Sequence, residues 1–210
     1  GALYLWRDVG RRVLEDVLAS PMIVDPLTRL QCCPIADGAA AAVVCSSSMA
    51  RRFKPAVALK AMVLTSGSYE SPQDLVRWET DYRSCRLAYE KAGIGPEDLN
   101  LAEVHDAFSI SEILHYEAMG LCAAGEGVRL VKQGVTALGG RCPVNPSGGL
   151  LSRGHPVGAT GIAQVFEIVT QLRNEAGKRQ VEGARVGLAH CMGGDKAADT
   201  KSCTVAILAR

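Results

Sequence analysis

A chain of 210 residues, 48% of them hydrophobic and 21% charged, carries enough apolar side chains to close a core, which excludes a disordered or linker-type protein. Its 23 Lys and Arg against 22 Asp and Glu leave a net charge of +1. The basic residues are scattered with no aromatic-interleaved stripe, so nothing points to nucleic acid. The longest apolar run, around Ala39 to Val44, falls far short of the roughly 20 residues a membrane span needs. No leader-like stretch opens the chain and Leu208-Ala209-Arg210 is no peroxisomal address, so cytoplasm is the expected location.

In chain order, Leu5, Val9, Val13, Leu14, Val17 and Leu18 recur at helical spacing, which predicts an amphipathic helix over 3–18 that stops before Pro21. The segment 22–38, with Pro26, Pro34 and a closing Asp37-Gly38, reads as an ordered loop, and 39–45 as a short buried strand. A strand over 57–65 follows. Ser71-Pro72-Gln73-Asp74 carries a cap, a first-turn Pro and an acid, so it starts a helix whose apolar stripe is Leu75, Trp78, Tyr82, Cys85 and Tyr89, down to Gly93. A strand over 101–104 then delivers His105 at its end. Helices are predicted over 109–119, closed by Gly120, and over 158–176, with Gly177 past the end. Two final strands, 184–191 and 203–209, complete the pattern, the first ending on Cys191. Candidate catalytic residues therefore sit at the carboxyl ends of strands, where open α/β sheets place ligands.

Eight cysteines are present: Cys32, Cys33, Cys45, Cys85, Cys122, Cys142, Cys191 and Cys203. None is in a C-x-x-C pair, so free, mostly buried thiols are expected, with no disulfide framework and no metal site.

Two segments carry the chemistry. In Gly154-His155-Pro156-Val157-Gly158-Ala159-Thr160-Gly161 a histidine is fixed between glycine and proline ahead of an apolar helix, a backbone that aims one imidazole. In Cys191-Met192-Gly193-Gly194 small residues leave backbone N–H groups free beside a thiol. Base, acid and oxyanion donor are the parts that thioester chemistry requires.

This pair resembles the GHPxGxTG and CxGG segments of the thiolase superfamily. His105-Asp106-Ala107-Phe108 is similar to the His-Asp-x-Phe box of sterol-carrier-protein-type and related archaeal and bacterial thiolases. Pro143-Val144-Asn145-Pro146-Ser147-Gly148-Gly149 and Asp37-Gly38-Ala39-Ala40 also look like that subfamily. The five matches stand in the family's order.

The resemblance implies an α/β, thiolase-like fold: a C-terminal half with a mixed five-stranded sheet flanked by helices (56–210), preceded in 1–55 by the end of the loop domain and the last strand of the N-terminal half. It implies Claisen condensation or thiolytic cleavage of 3-ketoacyl-CoA, with coenzyme A thioesters as substrates and no further cofactor. His155 would polarise the nucleophilic thiol and help hold the enolate oxygen. Cys191 would move the α-proton, the Gly193 N–H would face the tetrahedral oxyanion, and His105 would donate to the enolate-side oxyanion hole. Asp106 reads as structural, tying its loop to backbone N–H groups. His115 is expected to be solvated or partner-facing, and His190 to point to the sheet face opposite Cys191.

The family's nucleophilic cysteine belongs to the N-terminal half, and residues 1–55 hold no match to its surroundings. The chain is therefore expected to be a C-terminal portion, inactive by itself, that pairs with the missing half in a homodimer or homotetramer and, in this subfamily, with a small acyl-CoA-carrying protein. The charged stretch Asp195 to Lys201 interrupts the family pattern as a loop. The competing readings are a non-catalytic thiolase-like scaffold and a thiolase-like aldolase subunit, although an aldolase would be expected to lack His155.

Overall fold

The computed structural model describes residues 14–53, 55–68, 74, 76–196 and 199–210, without the side chains of 195, 196 and 199. The expected first helix lies mostly outside them, as do Ser71 to Gln73 and Leu75. Its described end is α1, Leu14–Leu18. A two-stranded hairpin, β1 (Met22–Val24) and β2 (Leu27–Thr28), then turns through a cis Asp25-Pro26 bond inside what composition reads as a loop.

The main sheet has four strands: β3 (Ala58–Thr65), β4 (Leu101–Glu103), β5 (Val186–Lys196) and β6 (Asp199–Ala209), in the order β3-β6-β5-β4. It is mixed, as expected, because β4 runs parallel to β5 while the other pairs are antiparallel. In place of a fifth strand, residues 143–145 run beside β4, with Ala102 N donating to Pro143 O (3.0 Å) and Asn145 N donating to Ala102 O (2.8 Å). One parallel bridge, Ala102 to Val144, results.

Helices cover both faces. Helix α3 (Glu79–Ala92) ends in the left-handed Gly93 and packs on β3 and β6, over Val63, Cys203, Val205 and Ile207. Helix α4 (Ser109–Ala118) lies on the same side. On the opposite face, α7 (Thr160–Leu172) packs its Ile168 and Leu172 against Leu101, Ala189 and Leu208. Alternation along each strand sends successive residues to these two cores, so Leu101 and Ala189 face α7 while Ala102 and Leu188 face α3. Each fully buried aliphatic side chain contributes roughly 2 kcal/mol.

Three expectations need correction. Residues 39–45 form no strand: they are extended coil, with Val43 and Val44 exposed, because no described segment pairs with them. The charged stretch after Cys191 is mostly strand, since β5 runs to Lys196 and β6 begins at Asp199. The buried stripe of α3 is Thr80, Asp81, Ser84, Cys85, Ala88 and Tyr89, rotated toward polar residues that find partners inside. Short helices α2 (Ser47–Ala50), α5 (Gly127–Lys132) and α6 (Gly149–Arg153) complete the chain. All eight cysteines are free.

Candidate active site

Register assembles the site. In the parallel pair β4 and β5, Glu103 sits beside Ala189. Two residues further on lie His105, just past the end of β4, and Cys191, within β5, and alternation from Leu101 and Ala189 puts both side chains on the α7 side. The thiol Sγ is 3.5 Å from His105 Nδ1. The His105 and His155 rings meet edge to face, 4.8 Å between centroids and 88° between planes. All three side chains drawn from the sequence motifs thus share one site. A Cβ at Gly161, in the first turn of α7, would stand 3.8 Å from Cys191 Sγ, which places that helix end against the thiol.

His155 is held from both sides. Its N–H donates to Pro34 O (3.1 Å), and its Nδ1 is 2.7 Å from Thr160 Oγ1. The Thr160 hydroxyl donates its one proton to Pro156 O (3.1 Å), so it accepts from Nδ1–H and leaves Nε2 of the neutral ring bare. Gly154 precedes with φ +83°, and a Cβ there would lie 2.5 Å from that of Ala36. The segment from Cys32 to Gly38 runs along both site loops: Cys33 N donates to Ala107 O at 2.8 Å, and Gly38 abuts Pro156.

Asp106 is structural, as read from the sequence. Its carboxylate accepts from Leu150 N (2.7 Å) and Leu151 N (3.3 Å), closing the start of α6. Gly149, at φ +62°, has no room for a side chain, because a Cβ would collide with the Asp106 carboxylate.

Electrostatically the site is neutral. Burial, reinforced by the neighbouring imidazoles, pulls His105 down to about 3, and burial also lowers His155. Burial pushes the Cys191 thiol up to about 11. Arg153 of α6, to which the sequence reading gave no role, opposes protonation of both rings and favours the thiolate. Its Nε and Nη2 are buried with no partner among the described residues. Gly193 lies two residues beyond Cys191 on β5, in register with Ser202 of β6.

The expectation for His115 is overturned. It is 1% exposed, with Nδ1 2.6 Å from Asp81 Oδ2 and Nε2 3.1 Å from the His105 carbonyl oxygen. The apolar pattern of α4 did not announce this, because its partner is on another helix. His190 does face away from Cys191: buried on the α3 side, it puts Nε2 3.0 Å from Asp81 Oδ1 and 3.3 Å from Cys203 Sγ. Asp81 escaped the sequence reading although it left a signal, an acid between Trp78 and Cys85 on the buried face of a helix. Asp81, His190 and Cys203 bring ligand-type atoms within 4.8 Å of one another. Both Asp81 carboxylate oxygens already face imidazole nitrogens, so the group is a hydrogen-bonded network.

A mixed sheet layered between helices, with His105, His155 and Cys191 gathered on its α7 side, defines a thiolase-like domain. The chain belongs to the thiolase C-terminal domain-like family, whose model matches residues 61–210. It is 48% identical over 184 residues to acetyl-CoA acetyltransferase of Methanothermobacter thermautotrophicus, covering 86% of this chain and 48% of that one. It is 44% identical over 195 residues to benzoylsuccinyl-CoA thiolase subunit BbsB of Thauera aromatica, covering 91% and 50%. Sterol carrier protein 2 of Homo sapiens is 45% identical over 188 residues, covering 86% and 34%. The chain thus spans half or less of the length of these relatives. Among solved structures the fold is similar to the Ltp2-ChsH2(DUF35) aldolase, with a TM-score of 0.80 at 23% identity over 96% of this chain and 52% of that one.

Proposed function

We propose that this chain supplies the acid–base half of a thiolase active site, acting on coenzyme A thioesters in Claisen condensation or thiolytic cleavage of a 3-ketoacyl-CoA. The observation that carries the reading is the convergence of Cys191, His105 and His155 within one partly buried site. In condensation, Cys191 in its thiolate form takes the α-proton of an acyl-CoA. The resulting carbanion attacks the acyl-enzyme thioester, a C–C bond forms, and the enzyme thiol leaves. Thiolysis is the reverse: the enzyme's nucleophilic thiolate attacks the 3-keto carbon, the C–C bond breaks, the departing acyl-CoA carbanion takes its proton from the Cys191 thiol, and coenzyme A thiol then takes the acyl group off the enzyme.

The protonation states of the two histidines fit these roles. With Cys191 a thiol and His105 neutral, an S–H to Nδ1 contact puts the ring proton of His105 on Nε2, a donor for the enolate oxygen. His155 offers a bare Nε2, the form that accepts a proton from a nucleophilic thiol. The Gly193 N–H is assigned to the tetrahedral oxyanion. The acyl-carrying cysteine is assigned to the part of the relatives that this chain does not cover, so residues 1–210 alone are expected to be inactive. Residues 56–210 would then be the C-terminal thiolase domain and 1–55 the end of what precedes it.

Apolar side chains support a missing neighbour. Met62 and Leu64 of β3, 57% and 70% exposed, and Phe166 of α7, 59% exposed, give two outer faces that the N-terminal half or a second copy would cover. A small acyl-CoA-carrying partner belongs to the same proposal, with cytoplasm as the working location.

The test is thiolysis of acetoacetyl-CoA by the intact protein. Consumption that requires free coenzyme A and yields acetyl-CoA is expected. Cleavage without free coenzyme A would make the chain an aldolase subunit instead, and no cleavage of any 3-ketoacyl-CoA would make it a scaffold.

A further inference from the structure

The α3 side of the sheet, opposite the site, holds a buried network that the proposed chemistry does not use. Asp81, 1% exposed, directs Oδ2 at His115 Nδ1 (2.6 Å) and Oδ1 at His190 Nε2 (3.0 Å). These two imidazoles lead to the two chain segments that carry the site. His190 is the residue before Cys191 on β5. His115 reaches with Nε2 to the carbonyl oxygen of His105, just beyond β4, at 3.1 Å. A backbone carbonyl only accepts a hydrogen bond, and so does a carboxylate. Both nitrogens of His115 must therefore carry protons, and the ring is an imidazolium. Burial opposes that charge, but Asp81 outweighs it and raises the His115 pKa; the same imidazoles hold the Asp81 carboxyl well below the usual range against its own burial.

We propose that Asp81 and His115 are positioning residues that work from behind the sheet: the ion pair fixes the His105 carbonyl, while the same carboxylate tethers His190, so that one acid sets the approach of His105 to Cys191. The pair rests on the thiolase reading for its purpose. It touches neither substrate nor the reacting atoms. Loss of the His115 N–H would free the His105 peptide to rotate, carrying the imidazole off the thiol, even in a protein that stays folded.

Two measurements on the intact protein test this. The first is α-proton exchange of acetyl-CoA by His115→Gln in the parental and in the His105→Ala background. Positioning through His105 predicts a loss of about tenfold or more in kcat with KM nearly unchanged in the parental background, and less than about twofold in His105→Ala. Equal losses in both backgrounds, or a parental rate for His115→Gln alone, would overturn it. If the parental protein itself shows no exchange, the thiolase reading fails and this one is judged by the second measurement. That is ring 15N NMR of histidine-labelled protein near pH 8, which needs no variant. Two protonated nitrogens on His115, both slow to exchange with solvent, are expected. A singly protonated His115 ring would overturn the positioning pair.

Discussion

Cys191 Sγ and His105 Nδ1 lie 3.5 Å apart although 86 residues separate them in the chain. The closeness follows from strand register, since the pairing of Glu103 with Ala189 carries two residues forward to these side chains. Because β4 and β5 run parallel, each step along one is matched by a step along the other, which is why the contact needs no long loop to make it.

His105 should tolerate one replacement and not another. His105→Asn offers a side-chain N–H of similar reach and should keep activity within about tenfold, whereas His105→Ala should lose roughly 100-fold or more in kcat. Steady-state thiolysis of acetoacetyl-CoA by the intact protein measures both. Equal, near-parental rates would remove the oxyanion role.

Thr160 should matter through the tautomer it imposes on His155. Thr160→Val removes the acceptor for Nδ1–H and should lower kcat by roughly tenfold or more, while Thr160→Ser, which keeps the hydroxyl, should stay near parental. Alkylation of the enzyme's nucleophilic thiol gives a second readout, and it should slow in the Val variant only.

Glu103 predicts a pH dependence of stability. It is fully buried, its carboxylate oxygens accepting from Ser147 N and Oγ, and burial raises its pKa from 4.5 to about 8 despite those bonds. The folded state therefore holds this proton more tightly than the unfolded chain, and stability falls as pH rises from about 5 through 8. Glu103→Gln should flatten most of that slope, worth ~2 kcal/mol or more in urea unfolding compared at pH 5.5 and 8. Asp106, raised by burial to about 7, leaves a residual slope of the same sign.

Gly149→Ala should destabilise by ~2 kcal/mol or more, because the new Cβ meets both a left-handed φ of +62° and the Asp106 carboxylate. Chemical denaturation measures the loss. Activity should fall with it, since Asp106 follows His105 directly and anchors the start of α6.

Much of the site was legible because its residues lie in glycine-bounded segments whose chemistry is local. The strand that delivers His105, the helix behind His155 and the opposite-face placement of His190 all follow from period and punctuation, whereas the strand expected to end on Cys191 runs on to Lys196. What escaped depends on partners distant in sequence. His115 looks like a surface histidine until α3 supplies Asp81, and 39–45 reads as a strand because its Ala and Val residues suit one, although no described strand lies beside it. Asp195 to Lys201 looks like a loop by charge, yet the hairpin ladder of β5 and β6 runs through most of it, since paired backbone groups outweigh side-chain polarity.

The most direct test of the proposed chemistry is solvent exchange of the α-protons of acetyl-CoA, followed by mass or NMR in deuterated buffer, for the intact protein and its Cys191→Ala variant. This step isolates proton removal from acyl transfer. Removing a positioned base predicts a fall of roughly 100-fold or more, with acetyl-CoA still bound at near-parental affinity. Exchange at the parental rate in Cys191→Ala would contradict the account, because the proton would then have another acceptor.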